Sequence, residues 1–272
     1  MQLVSYSQFR KTLYQTGCYE TPPDVRDHFR RYGMCRGSLK FHALNLWAVV
    51  RGARQVRRGR FDSTAWSHMA FEYVHFVERC GSRFVVEGGE HITEHDDPVV
   101  YVGNHMSLLE TFVVPAFVPE QGHISYVAKA SLLRYPLFGR IIRATNPVTV
   151  GRKNAREDLK HVLADGKARL ESGRSVVLFP QATRSVVFSE RRFNSLGARL
   201  AERAGVPVVP LALRTDFLGK GRLLKDLGAI HPDRPVRFCF GNPVAAGSAR
   251  TRQAQIVAFI RGKLQEWGMP CE

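Results

Sequence analysis

Nearly continuous runs of apolar residues constrain the fold of this chain more than any other feature of its sequence. The clearest runs are residues 99–102, 175–180 and 207–213, and each has the length and composition of a strand that is covered on both faces. Segments with the apolar spacing of helices lie between them. This alternation predicts an α/β fold with a mixed, largely parallel central sheet flanked by helices.

The N-terminal part of the chain is predicted to contain an amphipathic helical pair. Residues 38–58 and 63–80 place apolar side chains at helical spacing, and Asp62 or Ser63 is expected to cap the second helix. Arginines crowd the C-terminal half of the first helix, which fits either a helix at a membrane interface or a helix docked on the protein's own core. Residues 1–37 show little periodicity, and we expect them to be poorly defined, with one short helix.

The charge of the chain points to an anionic partner without identifying it. There are 40 Lys and Arg against 24 Asp and Glu, which gives a formal net charge of +16. A nucleic acid, an acidic membrane surface and a phosphorylated substrate all fit this charge, and so does a solvated basic surface without a partner. The five cysteines are scattered without a C-x-x-C pair, which favours a reducing compartment over a disulfide framework or a zinc site. We find neither a secretory signal nor an apolar run of membrane-spanning length, and expect a soluble or peripheral protein.

Polar residues follow the predicted strands closely. In parallel sheets, ligands bind beyond the carboxyl ends of the strands. The residues at these ends are His105, Lys129, Arg152 and Arg184. We therefore expect a candidate base and several cations along a single edge of the sheet.

His105 and Glu110 form the predicted catalytic pair. Glu110 lies in the first turn of a helix that Ser107 is expected to cap. A carboxylate bonded to one ring nitrogen of a histidine leaves the other nitrogen free to accept a proton. The alternative is a surface histidine beside an unrelated helix carboxylate. With arginines nearby to bind phosphate oxygens, the pair suits proton abstraction from a hydroxyl of a phosphorylated substrate.

Several common catalytic motifs are missing from the sequence. There is no G-x-S-x-G, no G-x-x-x-x-G-K-[ST] and no convincing G-x-G-x-x-G. These absences argue against a serine nucleophile, nucleotide hydrolysis and dinucleotide binding. Direct transfer to a substrate hydroxyl, without a covalent enzyme intermediate, is the reaction that remains.

Four short motifs place these residues in a family context. In chain order they are NHMSLLE (104–110), VTVGR (148–152), FPQATR (179–184) and VPVVPLAL (206–213). Their order and spacing resemble the motif blocks of the glycerolipid acyltransferase superfamily, which includes the glycerol-3-phosphate and 1-acylglycerol-3-phosphate acyltransferases. The resemblance covers residues 85–245, and it implies that His105 is the catalytic base and that Glu110 orients it.

The resemblance also implies a set of substrate-binding residues. They are Asn104, Lys129, Arg152, Phe179, Pro180, Gln181, Thr183, Arg184 and Pro210. Thr183 and Arg184 are expected to contact the phosphate of the acceptor. The chain departs from the family pattern where Glu110 replaces Asp and where Gln181-Ala182 replaces Glu-Gly. The second departure removes a negative charge and a residue tolerant of positive φ, and it bears on the acceptor more than on the reaction.

The reaction implied by the resemblance is transfer of a fatty acyl group from an acyl thioester to the free hydroxyl of a lysophospholipid. The expected acceptor is 1-acylglycerol-3-phosphate, which would give phosphatidate; glycerol-3-phosphate or another lysolipid is the alternative. The donor is acyl-CoA or an acyl carrier protein, and the sequence leaves this choice open. No metal and no other cofactor is expected. Backbone N–H groups near Asn104 or in the Gln181 loop are expected to stabilise the oxyanion.

A lysophospholipid acceptor implies work at a membrane. We expect a cytoplasmic protein attached peripherally to the inner face of the membrane, with Trp47, Trp66 and the arginines of the helical pair against an anionic lipid surface. Residues 1–82 are then an N-terminal helical region for this attachment, and residues 83–272 are an α/β acyltransferase domain. Nucleic acid is not an expected partner, since charge alone favours it. A non-catalytic lipid-binding relative is the other alternative.

Overall fold

The computed structural model describes residues 3–32, 37–93, 97–118, 123–151, 154–181, 183–221 and 225–272. The strands in these ranges are β1 (Cys18–Glu20), β2 (Phe84–Glu87), β3 (Val100–Gly103), β4 (Ile124–Lys129), β5 (Val148–Val150), β6 (Ser175–Leu178), β7 (Val208–Arg214) and β8 (Val236–Phe240). The α-helices are α1 (Tyr6–Thr16), α2 (Pro23–Tyr32), α3 (Ser38–Arg57), α4 (Ser63–Arg79), α5 (Glu90–Thr93), α6 (Leu109–Val113), α7 (Phe138–Ala144), α8 (Ala155–Glu171), α9 (Leu196–Ala204) and α10 (Ala249–Glu266). Short 3-10 turns are formed by Val114–Ala116, Ala130–Arg134 and Glu190–Arg192.

The strands form one eight-stranded sheet in the order β1-β2-β8-β7-β3-β6-β4-β5. Neighbours from β7 to β5 are parallel, as are β2 and β8. The pairs β1–β2 and β7–β8 are antiparallel. The predicted α/β fold with a mixed, largely parallel sheet is therefore confirmed.

The strand that precedes His105 lies inside the sheet, with β6 on one side and β7 on the other. Val100, Tyr101 and Val102 are at most 2% exposed, as their continuous apolar run predicts. In register, Val102 pairs with Leu178 of β6 and Pro210 of β7. Because β3, β4, β5 and β6 all run parallel, the residues that follow them emerge at the same edge of the sheet.

Helices α8, α9 and α10 pack against this parallel part of the sheet and against one another. Asn154 caps α8 by accepting hydrogen bonds from the N–H groups of Arg156 at 3.1 Å and Glu157 at 3.4 Å. Gly197 allows a close approach of α9 to β3, since an added Cβ atom would lie 2.4 Å from Cγ2 of Val102. Helix α9 therefore packs closely against β3 at Val102.

The predicted helical pair is present, but its two members are covered very differently. Asp62 caps α4 through the N–H of Ala65 at 2.8 Å, and most of the helix is buried. Trp66 of α4 is 9% exposed, with its ring 5.9 Å from that of Tyr126. Trp47 of α3 is 51% exposed. The expectation that both tryptophans face a lipid surface is therefore wrong for Trp66, because α4 is a core helix. Among the helices described, none combines the length and the apolar character needed to cross a bilayer.

The N-terminal residues are more ordered than the sequence predicted. Residues 3–32 form α1, β1 and α2, and α1 begins with a reciprocal capping box between Ser5 and Gln8. Phe9 and Leu13, one turn apart on α1, are fully buried. The prediction of a poorly defined segment was wrong because a capping box and a two-residue apolar stripe are weaker signals than long periodicity.

The residues before position 83 and those after it share one apolar core. The ring of Phe41 packs 5.6 Å from that of Phe217, and Tyr73 stacks on Phe112 at 4.7 Å. β1 also pairs with β2 at the edge of the sheet. The division into a helical region (1–82) and an acyltransferase domain (83–272) stays a prediction.

Candidate active site

The segment that leaves β3 is fixed to β7 by the side chain of Asn104. Its Nδ2 donates to the carbonyl of Leu213 at 2.8 Å, and the N–H of Leu213 donates to its Oδ1 at 2.9 Å. Asn104 is 1% exposed. Both ends of the amide are thus occupied, and Asn104 positions the chain just before His105.

His105 and Glu110 are paired, as the sequence predicted. Nδ1 of His105 lies 2.8 Å from Oε1 of Glu110. Because a carboxylate only accepts, Nδ1 carries the proton and Nε2 is left with a free lone pair. The imidazole is 18% exposed and Glu110 is fully buried. The pair therefore forms with Glu at the position where the family pattern has Asp.

Glu110 is surrounded by donors that keep its buried carboxylate ionised. Oε1 accepts from the N–H groups of Met106 at 2.7 Å and Ser107 at 2.9 Å, and Oε2 accepts from the hydroxyl of Thr215 at 2.7 Å. Burial raises the pKa of Glu110, but the hydrogen bonds and charge attraction of His105 and the hydrogen bond of Thr215 outweigh this and hold the pKa below its ordinary range.

Two hydroxyl groups in this cluster were not among the predicted site residues. The hydroxyl of Ser107 lies 2.9 Å from both Oε2 of Glu110 and Oγ1 of Thr215, and it accepts from the N–H of Leu109 at 3.0 Å. The N-cap position of α6 is Leu108, not Ser107 as predicted, and no side-chain capping bond is formed there. Ser107, one residue earlier, instead supports Glu110. Thr215 follows β7 directly, and no local pattern links it to Glu110 more than 100 residues earlier.

The loop after β6 holds His105 from the other side. The ring of Phe179 stacks on the imidazole at 4.9 Å with an interplanar angle of 7°. Gln181, 3% exposed, accepts the N–H of His105 at 3.2 Å through its side-chain oxygen. The N–H of Ser185 donates to the carbonyl of His105 at 2.9 Å. Gln181 thus uses its amide as a neutral acceptor, a role that does not need the charge of a glutamate.

Beyond Gln181 the loop presents polar groups to a cavity of about 360 Å³. Thr183 and Ser185 line this cavity together with Gln181. Arg184 forms an ion pair with Asp226, with Nη2 and Oδ1 2.6 Å apart. Pro180 is buried, and its carbonyl accepts from the side chain of Asn194 at 2.7 Å.

The remaining predicted site residues are not in direct contact with this cluster. Lys129 is exposed at the last residue of β4, where it pairs in register with Val150. Pro210 is buried inside β7. Arg152 lies outside the described residues, and its place at the same edge stays a prediction. Of the predicted site residues, Glu110, Phe179 and Gln181 thus contact His105 directly. Arg184 does not, but it precedes Ser185, whose N–H donates to the carbonyl of His105.

Backbone donors for an oxyanion are restricted near Asn104. The N–H groups of His105, Met106 and Ser107 already donate to Gln181 or Glu110. These three N–H groups therefore hold the catalytic pair itself, and the expected oxyanion donor near Asn104 or in the Gln181 loop stays a prediction. In the Gln181 loop, Ala182 lies outside the described residues. No group of at least three His, Cys, Asp or Glu residues capable of holding a metal occurs among those described; the expectation that catalysis needs no metal stays a prediction.

Parts of this chain are similar to known acyltransferases. A family model described as Acyltransferase matches residues 83–214. A 1-acyl-sn-glycerol-3-phosphate acyltransferase from Pseudomonas aeruginosa is 34% identical over 155 residues, which are 57% of this chain and 58% of that protein. One from Chlamydomonas reinhardtii is 30% identical over 164 residues, 58% of this chain and 47% of that protein. The chain thus spans about half of the length of these curated relatives.

The fold has a solved counterpart. The crystal structure of the 1-acyl-sn-glycerophosphate acyltransferase PlsC from Thermotoga maritima matches with a TM-score of 0.66 at 23% identity, covering 85% of this chain and 94% of that one. Together with the histidine–carboxylate pair at the carboxyl edge of the parallel strands, these matches define the class of residues 83–214, which are similar to the acyltransferase family. The names of these relatives support the resemblance to the glycerolipid acyltransferase superfamily that the four motifs predicted.

Proposed function

We propose that the protein is an O-acyltransferase that moves a fatty acyl group from an acyl thioester to the free hydroxyl of 1-acylglycerol-3-phosphate, giving phosphatidate. The observation that carries this proposal is the 2.8 Å contact between His105 Nδ1 and Glu110, which leaves Nε2 as a base beside a cation-bearing loop. The names of the relatives from Pseudomonas aeruginosa and Chlamydomonas reinhardtii support the choice of acceptor.

Proton transfer by His105 is the central step of the proposed mechanism. Nε2 takes the proton of the acceptor hydroxyl as the oxygen attacks the thioester carbonyl. The tetrahedral intermediate expels the thiolate, which receives the same proton from Nε2. Glu110 holds the imidazole in the required tautomer and stabilises the imidazolium formed in between. The carbonyl carbon exchanges a C–S bond for a C–O bond, and no oxidant or reductant is needed.

Arg184 and Thr183 are proposed to bind the phosphate of the acceptor. Arginine presents paired donors that match phosphate oxygens. Thr183 is exposed and lines the cavity beside Gln181. Lys129 at the end of β4 is proposed to add positive charge along the same edge, and Arg152, which lies outside the described residues, is proposed to do so as well. The acyl-CoA or acyl carrier protein enters as a substrate, and neither a metal nor another cofactor is part of the proposal.

Attachment to an anionic membrane surface is proposed to occur through α3. Leu39, Leu46 and Trp47 are 84%, 60% and 51% exposed, and the guanidinium of Arg51 lies 4.5 Å from the centre of the Trp47 ring. Exposed apolar side chains beside cations match the chemistry of a lipid headgroup region. On this basis we propose a peripheral enzyme at the cytoplasmic face of the membrane, without a nucleic-acid partner.

The His105→Ala variant tests the proposed reaction. We expect phosphatidate formation from 1-acylglycerol-3-phosphate and an acyl thioester to fall by a factor of about 10²–10⁴, since this is the usual contribution of a general base. Release of the free thiol measures the rate, with acyl-CoA and acyl carrier protein assayed in parallel. The variant is expected to stay folded, with a lower melting temperature because the buried carboxylate of Glu110 loses one of its hydrogen-bond donors.

The matched control is His161→Ala on α8, where the side chain is 66% exposed and pairs with Asp165. This variant should keep the wild-type rate. A near-normal rate for His105→Ala would refute the mechanism. An acceptor screen that finds transfer to glycerol-3-phosphate or another lysolipid, and not to 1-acylglycerol-3-phosphate, would replace the acceptor while retaining the reaction.

A further inference from the structure

The ion pair of Arg184 and Asp226 places a carboxylate of the chain at the proposed phosphate-binding group. The guanidinium and carboxylate are 2.6 Å apart. Their side chains are 22% and 45% exposed, so Asp226 lies on the solvent side of the pair. Carboxylate and phosphate oxygens use the same guanidinium donors, and the two anions therefore compete for Arg184.

Asp226 is held at this position by the connection between β7 and β8, residues 215–235. On either side of it, the N–H of Gly219 donates to the carbonyl of Ala229 at 2.8 Å. The connection is also tied to α3, because Nε2 of His42 lies 2.8 Å from the carbonyl of Gly228 and the N–H of Ile230 donates to the hydroxyl of Ser38 at 3.1 Å. The described residues 215–221 and 225–235 of the connection are thus bonded to each other and to α3, and Asp226 meets Arg184 from this part of the chain.

We propose that Asp226 is an internal competitor of the acceptor phosphate at Arg184. This inference rests on the proposed function, in which Arg184 binds that phosphate. Before the acceptor binds, the carboxylate neutralises the guanidinium; acceptor binding exchanges it for phosphate oxygens and releases Asp226 to solvent. A phosphate monoester carries a charge of about −1.5 to −2 and three acceptor oxygens, so it displaces a single carboxylate. An acceptor without an anionic headgroup leaves the pair intact and gains nothing from Arg184.

The Asp226→Asn variant tests the exchange in the acyl-transfer reaction. It keeps the size of the side chain and removes the charge. We expect the KM for 1-acylglycerol-3-phosphate to fall about threefold while kcat changes by less than about twofold, since a pair this exposed contributes modestly. The matched control is Asp233→Asn, which removes the same charge from an exposed position of the same connection and should leave KM unchanged.

Calorimetric titration with inorganic phosphate tests the same exchange without turnover. Phosphate should bind Asp226→Asn about threefold more tightly than the wild type, and it should bind Arg184→Gln weakly. In the Arg184→Gln background, adding Asp226→Asn should have no further effect, because Asp226 acts through Arg184.

The opposite results would overturn the proposal. A higher KM and weaker phosphate binding in Asp226→Asn would show that Asp226 braces Arg184 in its binding geometry. Unchanged values would show that the pair does not compete with phosphate. If the wild type transfers no acyl group to any lysolipid, the proposed function fails, and the phosphate titration still decides whether Asp226 and phosphate exclude each other at Arg184.

Discussion

Glu110 shows how a buried carboxylate can remain charged at the centre of a protein. An isolated ionised carboxylate is costly to bury, and the cost is offset only when its oxygens are fully hydrogen-bonded. Here backbone N–H groups, the imidazole of His105 and the hydroxyl of Thr215 all donate to it. The consequence is a fixed acceptor that holds His105 in one tautomer, which the proposed proton transfer requires.

Thr215→Val tests the support that Glu110 receives. Valine keeps the shape of the side chain and removes the hydroxyl that donates to Oε2 at 2.7 Å. A hydrogen bond to a charged group contributes about 1.5–3 kcal/mol, so we expect kcat/KM to fall about tenfold or more. Loss of this donor also raises the pKa of Glu110, and the acid limb of the pH–rate profile should therefore move to higher pH.

Thr215→Ser is the control for this prediction. It retains the hydroxyl, and it should restore both the rate and the position of the acid limb. A merely structural role for Thr215 would lower the melting temperature of Thr215→Val and leave the shape of its pH–rate profile unchanged. That outcome would remove Thr215 from the positioning of the catalytic pair.

The sequence predicts His105 and Glu110 well because the two residues are five positions apart and meet through local backbone geometry. Thr215 and Asp226 could not be predicted in this way. Their partners are 105 and 42 residues distant along the chain, and the contacts depend on the order of β7, β3 and β6 in the sheet. Sequence patterns report local periodicity, whereas such contacts depend on strand order.

At the scale of elements, the connection from β7 to β8 is a part of the candidate site that none of the four recognised motifs includes. The family match ends at residue 214, and the connection starts directly after it. Its first residue, Thr215, supports the base, and Asp226 pairs with the proposed phosphate-binding arginine. The same connection thus contacts both the proposed catalytic base pair and the proposed phosphate-binding residue. The central strands β3, β6 and β7 were predictable, because each is a continuous apolar run, whereas β1 was not.

The exposed side of α3 gives a prediction at the same scale. Replacing Leu46 and Trp47 together by serine should reduce co-sedimentation with anionic phospholipid vesicles by about tenfold or more, since burying two such side chains contributes several kcal/mol. Both residues are at least half exposed, so the fold should be retained. Deleting residues 1–82 is a poorer test, because Phe9 and β1 belong to the core and the sheet.

The paired variant Leu46→Met with Trp47→Phe keeps this surface apolar and serves as its control. It should sediment with vesicles as the wild type does. If the serine variant also binds vesicles like the wild type, α3 is a helix docked on the protein's own core with a solvated outer side. That was the other interpretation of the arginine-rich helix, and membrane contact would then have to be sought elsewhere.

At the scale of the whole molecule, a second buried carboxylate joins the N-terminal elements to the sheet. Glu78 of α4 accepts the hydroxyl of Tyr19 in β1 at 2.7 Å and that of Thr21 at 2.9 Å. Thr21 in turn accepts the N–H of Phe84 at the start of β2 at 2.9 Å. Unlike Glu110, Glu78 has an oxygen, Oε2, that is buried without a hydrogen-bond partner among the described residues. The surroundings of Glu110 therefore favour the ionised carboxylate, whereas those of Glu78 favour the protonated form.

Burial raises the pKa of Glu78, and the hydrogen bonds from Tyr19 and Thr21 only partly oppose this effect. The pKa of Glu78 is higher in the folded state than in the unfolded state, so the fold favours the protonated carboxyl. Its stabilising contribution is complete only at a pH below the pKa of the unfolded glutamate. That contribution declines as the pH rises and is lost once the pH passes the folded-state pKa, at about 1.4 kcal/mol per pH unit in between. Glu78→Gln stays neutral and should remove this decline.

Thermal unfolding from about pH 5 to about pH 8 measures the effect. The melting temperature of the wild type should fall relative to that of Glu78→Gln as the pH increases. Glu171→Gln, at a position 62% exposed near the end of α8, should follow the wild type throughout. Parallel curves for the wild type and Glu78→Gln would mean that Glu78 is ionised in the fold despite its burial, with its unpartnered oxygen satisfied by water. The join between β1, α4 and β2 would then be insensitive to pH in this range.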